Sequence, residues 1–208
     1  MVIINAQQLA RDVIVIGASA GGVLVIKELL TALPGDLAAT VLIVIHRSPF
    51  HETQLPHVLG LHAALVVREP EDGAPMKPGI VYVAPRDQHL LVHDGFVRLD
   101  RGPKQHRTRP AIDPLFLSAA AIYGKRVIGV LLSGMGGDGV TGLIAIKHSG
   151  GVSLVQSPVE AQFPTMPSRA IKEDDVDAAL PVADLARALP ILVAGGAVEP
   201  GSSRVPAR

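Results

Sequence analysis

The chain contains no cysteine and no tryptophan, and aromatic residues make up only 3% of its 208 positions. Without cysteine there is no disulfide framework, no thiol nucleophile and no thiolate-bound metal, and a cytoplasmic setting is the expectation. So few aromatics leave almost no platforms on which nucleobases could stack. Charge of either sign is not in excess: 19 Lys and Arg balance 19 Asp and Glu. A chain with no net field has nothing global to hold a nucleic acid backbone or an acidic membrane, so no nucleic acid partner is expected. Long apolar runs are missing too. No stretch reaches the roughly 18 residues that span a bilayer; the best candidate is bracketed by Arg11 and Lys27 and interrupted by glycines. Residues 1–8 lack the basic start and apolar core of a signal peptide, and no membrane insertion is expected.

What the chain has instead is aliphatic bulk, 48% hydrophobic residues with 21 glycines and 17 prolines as punctuation. That length and composition suit one α/β core. Buried-strand patterns fall at 13–16, 41–45, 127–132 and 152–155, continuous apolar runs of the kind that parallel sheets bury on both faces. Helical spacing follows at 23–33, 53–59, 113–123, 140–148, 168–172 and 182–193, and 65–67 reads as a further short strand. The middle differs. Segments 80–83, 90–93 and 96–99 are short and separated by polar turns, with Asp94-Gly95 a hairpin signal, so antiparallel strands are expected there. The whole reads as a doubly wound, mostly parallel sheet with helices on both faces and an antiparallel hairpin insertion. A leader over 1–12, one domain over 13–193 and a disordered, Gly- and Pro-rich tail over 194–208 complete the plan.

The chemistry gathers at the ends of strands. Ile14-Val15-Ile16 runs into Gly17-Ala18-Ser19-Ala20-Gly21-Gly22, a G-x-S-x-G turn that bends sharply before a helix and exposes the Ser19 hydroxyl beside free N–H groups. Ser19 alone has two other readings, a simple helix cap or part of a loop that cradles a dinucleotide. His46 directly follows the second strand, and Asp138 sits in Ser133-Gly-Met-Gly-Gly-Asp138-Gly139 after another. In a parallel sheet these ends converge. A hydroxyl, an imidazole to take its proton and a carboxylate to fix the imidazole's tautomer are the parts of an activated serine. The dinucleotide reading weakens because His46 and Arg47 stand where an acid should hold the ribose. Chain order Ser, His, Asp also differs from the Ser, Asp, His order of the α/β-hydrolases.

The other histidines, 51, 57, 62, 89, 93, 106 and 148, are assigned to surface helices, hairpins or loops; no H-E-x-x-H occurs, and neither metal nor cofactor is expected. The basic loop from Arg101 to Arg109 reads as a solvated loop or a substrate contact, with Arg109 the candidate residue.

With Gly17-Ala-Ser19-Ala-Gly-Gly22, His46, Thr108-Arg-Pro-Ala-Ile-Asp113-Pro-Leu-Phe116, the loop through Asp138, and Phe163-Pro-Thr-Met-Pro-Ser-Arg169 in this order, the chain resembles the catalytic domain of chemotaxis protein-glutamate methylesterases from about Asp12 to Val193. The resemblance implies a doubly wound domain whose nucleophile falls on Ser19, general base on His46 and carboxylate on Asp138. It implies hydrolysis of glutamate methyl esters on the cytoplasmic helices of chemoreceptors, with glutamine deamidation as a second activity. Backbone N–H groups at Ala20 and Met135 are then the expected oxyanion donors, since both lie in loops facing the same strand ends. The sequence departs from the family pattern at Ala20, where threonine is common, and at Ile45 and Arg47, which flank His46 where glutamine and methionine are common. Many members also carry an N-terminal receiver domain. Met1 lies just ahead of the first strand, so the expectation is a stand-alone esterase or a fragment, with regulation left to a separate protein. Two alternatives stay open, a receptor-binding module without catalysis and a nucleotide-binding Rossmann-like domain.

Overall fold

A computed structural model describes residues 10–47, 54–174 and 176–197. Strand β1 (Val13–Ala18) is central, with helix α1 (Gly22–Ala32) leading to β2 (Thr40–Ile45). Helix α2 (Leu55–Gly60), β3 (Val66–Arg68) and β4 (Ile80–Val83) follow, then a hairpin of β5 (His89–His93) and β6 (Phe96–Asp100). The second half runs α3 (Ile112–Tyr123), β7 (Val127–Leu131), α4 (Val140–His148), β8 (Val152–Gln156), α5 (Thr165–Glu173), β9 (Ala178–Leu180) and α6 (Val182–Val193). Seven strands form one sheet in the order β3-β4-β2-β1-β7-β8-β9, and every pairing in it is parallel.

Both faces are covered, as the unbroken apolar strands demand. Ile14, Ile16, Ile43, Val83, Val130 and Leu154 pack with α1 and α6 on one face, while Val13, Val15, Leu42, Val44 and Val155 pack with α3, α4 and the hairpin on the other. Each such fully buried aliphatic side chain contributes about 1.5–3 kcal/mol, which lets a core with so few aromatics hold together. Chain direction away from β1 reverses between β2 on one side and β7 on the other. A crevice therefore opens beyond the carboxyl ends of these three strands.

The middle of the chain corrects the sequence reading in part. Segments 90–93 and 96–99 do form an antiparallel hairpin, separate from the main sheet. Ile80–Val83 does not join them; it pairs in parallel with β2 and β3 inside the large sheet. Its apolar character, Ile-Val-Tyr-Val with three of four residues buried, fits that covered position. Strand β9 has no signal in the sequence because two alanines and a leucine after a polar turn carry no periodicity. The expected leader lies largely, and the start of the helix placed at 53–59 wholly, outside the described residues; so does the expected tail beyond 197.

Candidate active site

Ser19 follows β1 directly. Its own N–H is held by the carbonyl of Ser133 at 3.0 Å and its carbonyl accepts the N–H of Gly22 at 3.0 Å, which closes the turn into α1. Gly21, the residue before the helix, has φ of +74°; a side chain there would be strained and would also press on Ser133 and Phe163. The turn is pinned from below. Ser133 is fully buried, donates its hydroxyl to the Ala20 carbonyl at 2.9 Å and receives the N–H of Phe163 at 3.0 Å. Its own N–H goes to the buried Gln156 side chain at 2.9 Å.

His46, one residue beyond β2, presents its two ring nitrogens to the other members of the trio. Nδ1 lies 3.1 Å from the Ser19 hydroxyl and Nε2 lies 2.6 Å from Asp138 Oδ2. The carboxylate can only accept, so Nε2 carries the proton and Nδ1 is left free to accept one from Ser19. Asp138 is only 2% exposed and is engaged on both oxygens, with the N–H groups of Ile112 at 2.7 Å and Asp113 at 3.0 Å donating to it. Burial on its own would push the pKa of this carboxyl up, but the hydrogen bonds from His46, Ile112 and Asp113 outweigh it and hold Asp138 below the usual carboxylate range. It stays charged opposite the imidazole.

Ala20 and Met135 sit in the two loops that flank Ser19. Among the described residues, neither backbone N–H donates within the protein, whereas the N–H groups of Ser19 and Gly134 are both engaged by carbonyls. The Met135 side chain is exposed. Arg109 is occupied elsewhere: its Nε and one terminal nitrogen bind Asp87 at 3.0 and 2.8 Å, and the other terminal nitrogen binds the carbonyls of Arg101 and Gly102. The guanidinium thus closes the basic loop on itself.

Three polar residues near the site have no role assigned by the sequence pattern. Asp113 is buried beside Asp138, and His106 reaches Asp113 Oδ2 at 2.8 Å with its Nε2. The sequence places His106 in a plain surface loop, and only the Asp113-Pro114 pair at a helix start points to the acid. The third is His89, which is not on the surface: it is 2% exposed, donates Nε2–H to the Pro103 carbonyl at 3.0 Å and accepts the Ala111 N–H on Nδ1 at 3.2 Å. It holds the hairpin to the start of α3. His106, Asp113 and Asp138 place one ligating atom each within 4.8 Å of one another. Every carboxylate oxygen of that group already accepts a hydrogen bond, so hydrogen bonding alone accounts for the cluster.

The parallel sheet, covered on both faces, and the crevice beyond its strand ends define a doubly wound α/β domain carrying a serine, a histidine and an aspartate in one hydrogen-bonded line. The CheB methylesterase family model matches residues 14–189, and the chain belongs to that family. It is 40% identical over 178 residues to protein-glutamate methylesterase/protein-glutamine glutaminase 2 of Anaeromyxobacter dehalogenans, covering 86% of this chain and 52% of that protein. It is 38% identical over 189 residues to the protein-glutamate methylesterase/protein-glutamine glutaminase of Moorella thermoacetica, covering 88% of this chain and 45% of the relative. The chain thus spans about half the length of these two relatives. Among solved structures, the Thermotoga maritima CheB methylesterase catalytic domain superposes with a TM-score of 0.84 at 34% identity, over 88% of this chain and 100% of that one.

Proposed function

We propose that this chain is a serine hydrolase that removes methyl groups from glutamate methyl esters on the cytoplasmic helices of chemoreceptors, releasing methanol, and deamidates receptor glutamines at the same site. The observation that carries the reading is the continuous line from the Ser19 hydroxyl through His46 to Asp138, at 3.1 and 2.6 Å. Relatives bearing the name protein-glutamate methylesterase/protein-glutamine glutaminase support the choice of substrate. Among the described residues no helix is long and apolar enough to cross a membrane, and a cytoplasmic location is part of the proposal.

In the proposed reaction Ser19 Oγ attacks the ester carbonyl carbon as its proton passes to His46 Nδ1. The resulting imidazolium is held by the Asp138 carboxylate at Nε2. Negative charge gathering on the carbonyl oxygen meets the backbone N–H groups of Ala20 and Met135, which have no acceptor within the described protein. His46 then returns its proton to the departing methoxide, and methanol leaves an acyl-serine. Water attacks that ester while His46 takes its proton, and the proton ends on Ser19 as glutamate is freed. With glutamine the leaving group is ammonia. Arg109, already engaged by Asp87 and two carbonyls, enters the proposal as the residue that shapes the 101–109 loop from which His106 reaches the site.

The test is methanol release from a methyl-esterified receptor fragment. Wild type should release methanol, and Ser19→Ala and His46→Ala should each lose several orders of magnitude in kcat. Equal release from all three would end this reading. A receptor-binding module without catalysis predicts retention of the receptor fragment with no methanol from any of them.

A further inference from the structure

Asp138 is one half of a reciprocal arrangement. Helices α3 and α4 start side by side, and neither has a capping side chain of its own at the residue before its first turn. Asp138, which precedes α4, accepts the first two N–H groups of α3, those of Ile112 and Asp113. Asp113, the second residue of α3, returns the contact: its Oδ1 accepts the N–H groups of Gly139 at 3.1 Å and Gly142 at 2.8 Å, at the start of α4. Each acid caps the other's helix. Close approach is what permits this. A Cβ at Gly142 would lie 2.3 Å from the Cβ of Phe116 and 3.2 Å from Asp113 Oδ1.

A histidine completes the set. His106 Nε2 is 2.8 Å from Asp113 Oδ2 and 3.8 Å from Asp138 Oδ1. It is delivered by a tight turn in which Gln105 and Thr108 exchange both backbone hydrogen bonds, at 3.1 and 2.8 Å. The two central residues, His106 and Arg107, have φ of +49° and +63°. Such turns suit Asn-Gly, and two consecutive larger residues in the left-handed region are unfavourable unless the surroundings hold them. Here the Gln105–Thr108 pair closes the turn and His106 is tied to Asp113.

We propose that Asp113 is a positioning residue for the reaction and His106 its charge partner, the pair fixing Asp138 in place and setting the net charge that His46 meets. This rests on the reading of Ser19, His46 and Asp138 as a hydrolase triad. The ionisable groups that face Asp113 are Asp138 from the loop before α4, His106 from the 105–108 turn and, beyond Asp138, His46 from the end of β2. α4 presents backbone N–H groups to it. Two buried carboxylates side by side favour the protonated form of the neighbouring imidazole, and a protonated His106 offsets one of them. The second acid thus helps to stabilise the imidazolium that forms when Ser19 attacks.

The experiment follows the ring nitrogens of the histidines by NMR in the full chain, without substrate, against pH. Wild type, Asp113→Asn, Asp113→Ala and His106→Gln are compared, with methanol release measured in parallel. In Asp113→Asn the side-chain oxygen still caps α4 but the charge is gone. The His46 titration midpoint should fall by at least about half a pH unit, and the acid limb of kcat/KM should move with it while KM stays within about twofold. His106→Gln should move the midpoint the other way by a smaller amount, because the acid pair is no longer offset. Asp113→Ala should lower kcat roughly tenfold or more, with Asp113→Asn recovering most of the loss. A His46 midpoint shift below half a unit in Asp113→Asn, or an Asn variant no better than Ala, overturns the proposal. The NMR arm needs no ester, so a wild type that releases no methanol would refute the substrate reading and leave this one to be decided by the titration.

Discussion

The two halves of the site are built by opposite means. On the serine side, Ser19 is set by backbone: a glycine turn, the Ser133 carbonyl on its N–H and, among the described residues, no side-chain hydrogen bond other than the one with His46. On the acid side, Asp138 is buried among helix starts, receives two backbone N–H groups, and lies against a second carboxylate with its own histidine. The difference follows from what each group must do. In the proposed reaction a nucleophile has to be reached by substrate, so it stays near the surface, and a tight turn can aim it largely through the backbone. An acid that must stay ionised while excluded from water needs its charge answered by donors inside the protein.

Breaking each side tests the contrast. The largest effect belongs to the nucleophile and base: Ser19→Ala and His46→Ala should remove methanol release by several orders of magnitude while leaving thermal stability within about 1 kcal/mol of wild type. Asp138→Asn should come next, near a 10⁴-fold loss in kcat. An amide facing His46 Nε2 donates where the carboxylate accepted, so the imidazole proton moves to Nδ1 and the ring can no longer take one from Ser19. Unlike the first two, Asp138→Ala should also destabilise the fold, by roughly 2–4 kcal/mol, since it removes the acceptor for two buried N–H groups and for His46. Kinetics together with thermal melts separate the two patterns, and an Asp138→Ala protein as stable as wild type would erase the contrast.

Two glycines sharpen it further. At Gly134 a Cβ would stand 2.9 Å from the Cβ of Ser19 and 2.5 Å from the end of the Met166 side chain. Met166 can swing aside, but Ser19 cannot without leaving His46, so Gly134→Ala should lower kcat more than about tenfold at modest cost in stability. At Gly142 the obstacle is the Cβ of Phe116 in a neighbouring helix. Gly142→Ala should therefore cost about 1–3 kcal/mol by forcing α3 and α4 apart, with activity falling only as far as Asp138 is displaced.

Legibility followed the same divide. The serine turn is legible in the sequence because its devices are local: Gly17, Ser19 and Gly21 lie within a few residues and a strand runs straight into them. His46 and Asp138 were found as residues at strand ends, since a parallel sheet gathers such ends whatever their distance in sequence. The acid side's support was hidden. Asp113 meets Asp138 only because α3 and α4 begin together, and His106 reaches both only through the 105–108 turn; beyond the Asp113-Pro114 helix start, no local pattern announces either. The same limit explains β4, whose short apolar stretch between polar turns resembles its hairpin neighbours but pairs with β2. It explains Arg109 as well, because a loop rich in cations gives no sign that Asp87 and two carbonyls will engage one of them.

The smallest expected effect is on acid stability, and there the two carboxylates should pull in opposite directions. Asp138 titrates below its ordinary range in the folded chain, so its contribution is present above the unfolded carboxyl value, about 3.9, and is lost as pH falls through the folded value. Asp113 is shifted the other way: burial chiefly raises it, and the charge of Asp138 adds to that against the donors Gly142 and His106. Its contribution is present below the unfolded value and disappears as pH rises through the folded one. Melting temperature against pH should therefore fall less steeply on the acid side in Asp138→Asn than in wild type. In Asp113→Asn, which keeps an oxygen for the α4 cap but has no charge to bury, it should lose less as pH rises above about 4. If both variants traced the wild-type curve, offset by a constant, the carboxylates would be acting as caps alone, and the electrostatic half of the contrast between the two sides would be gone.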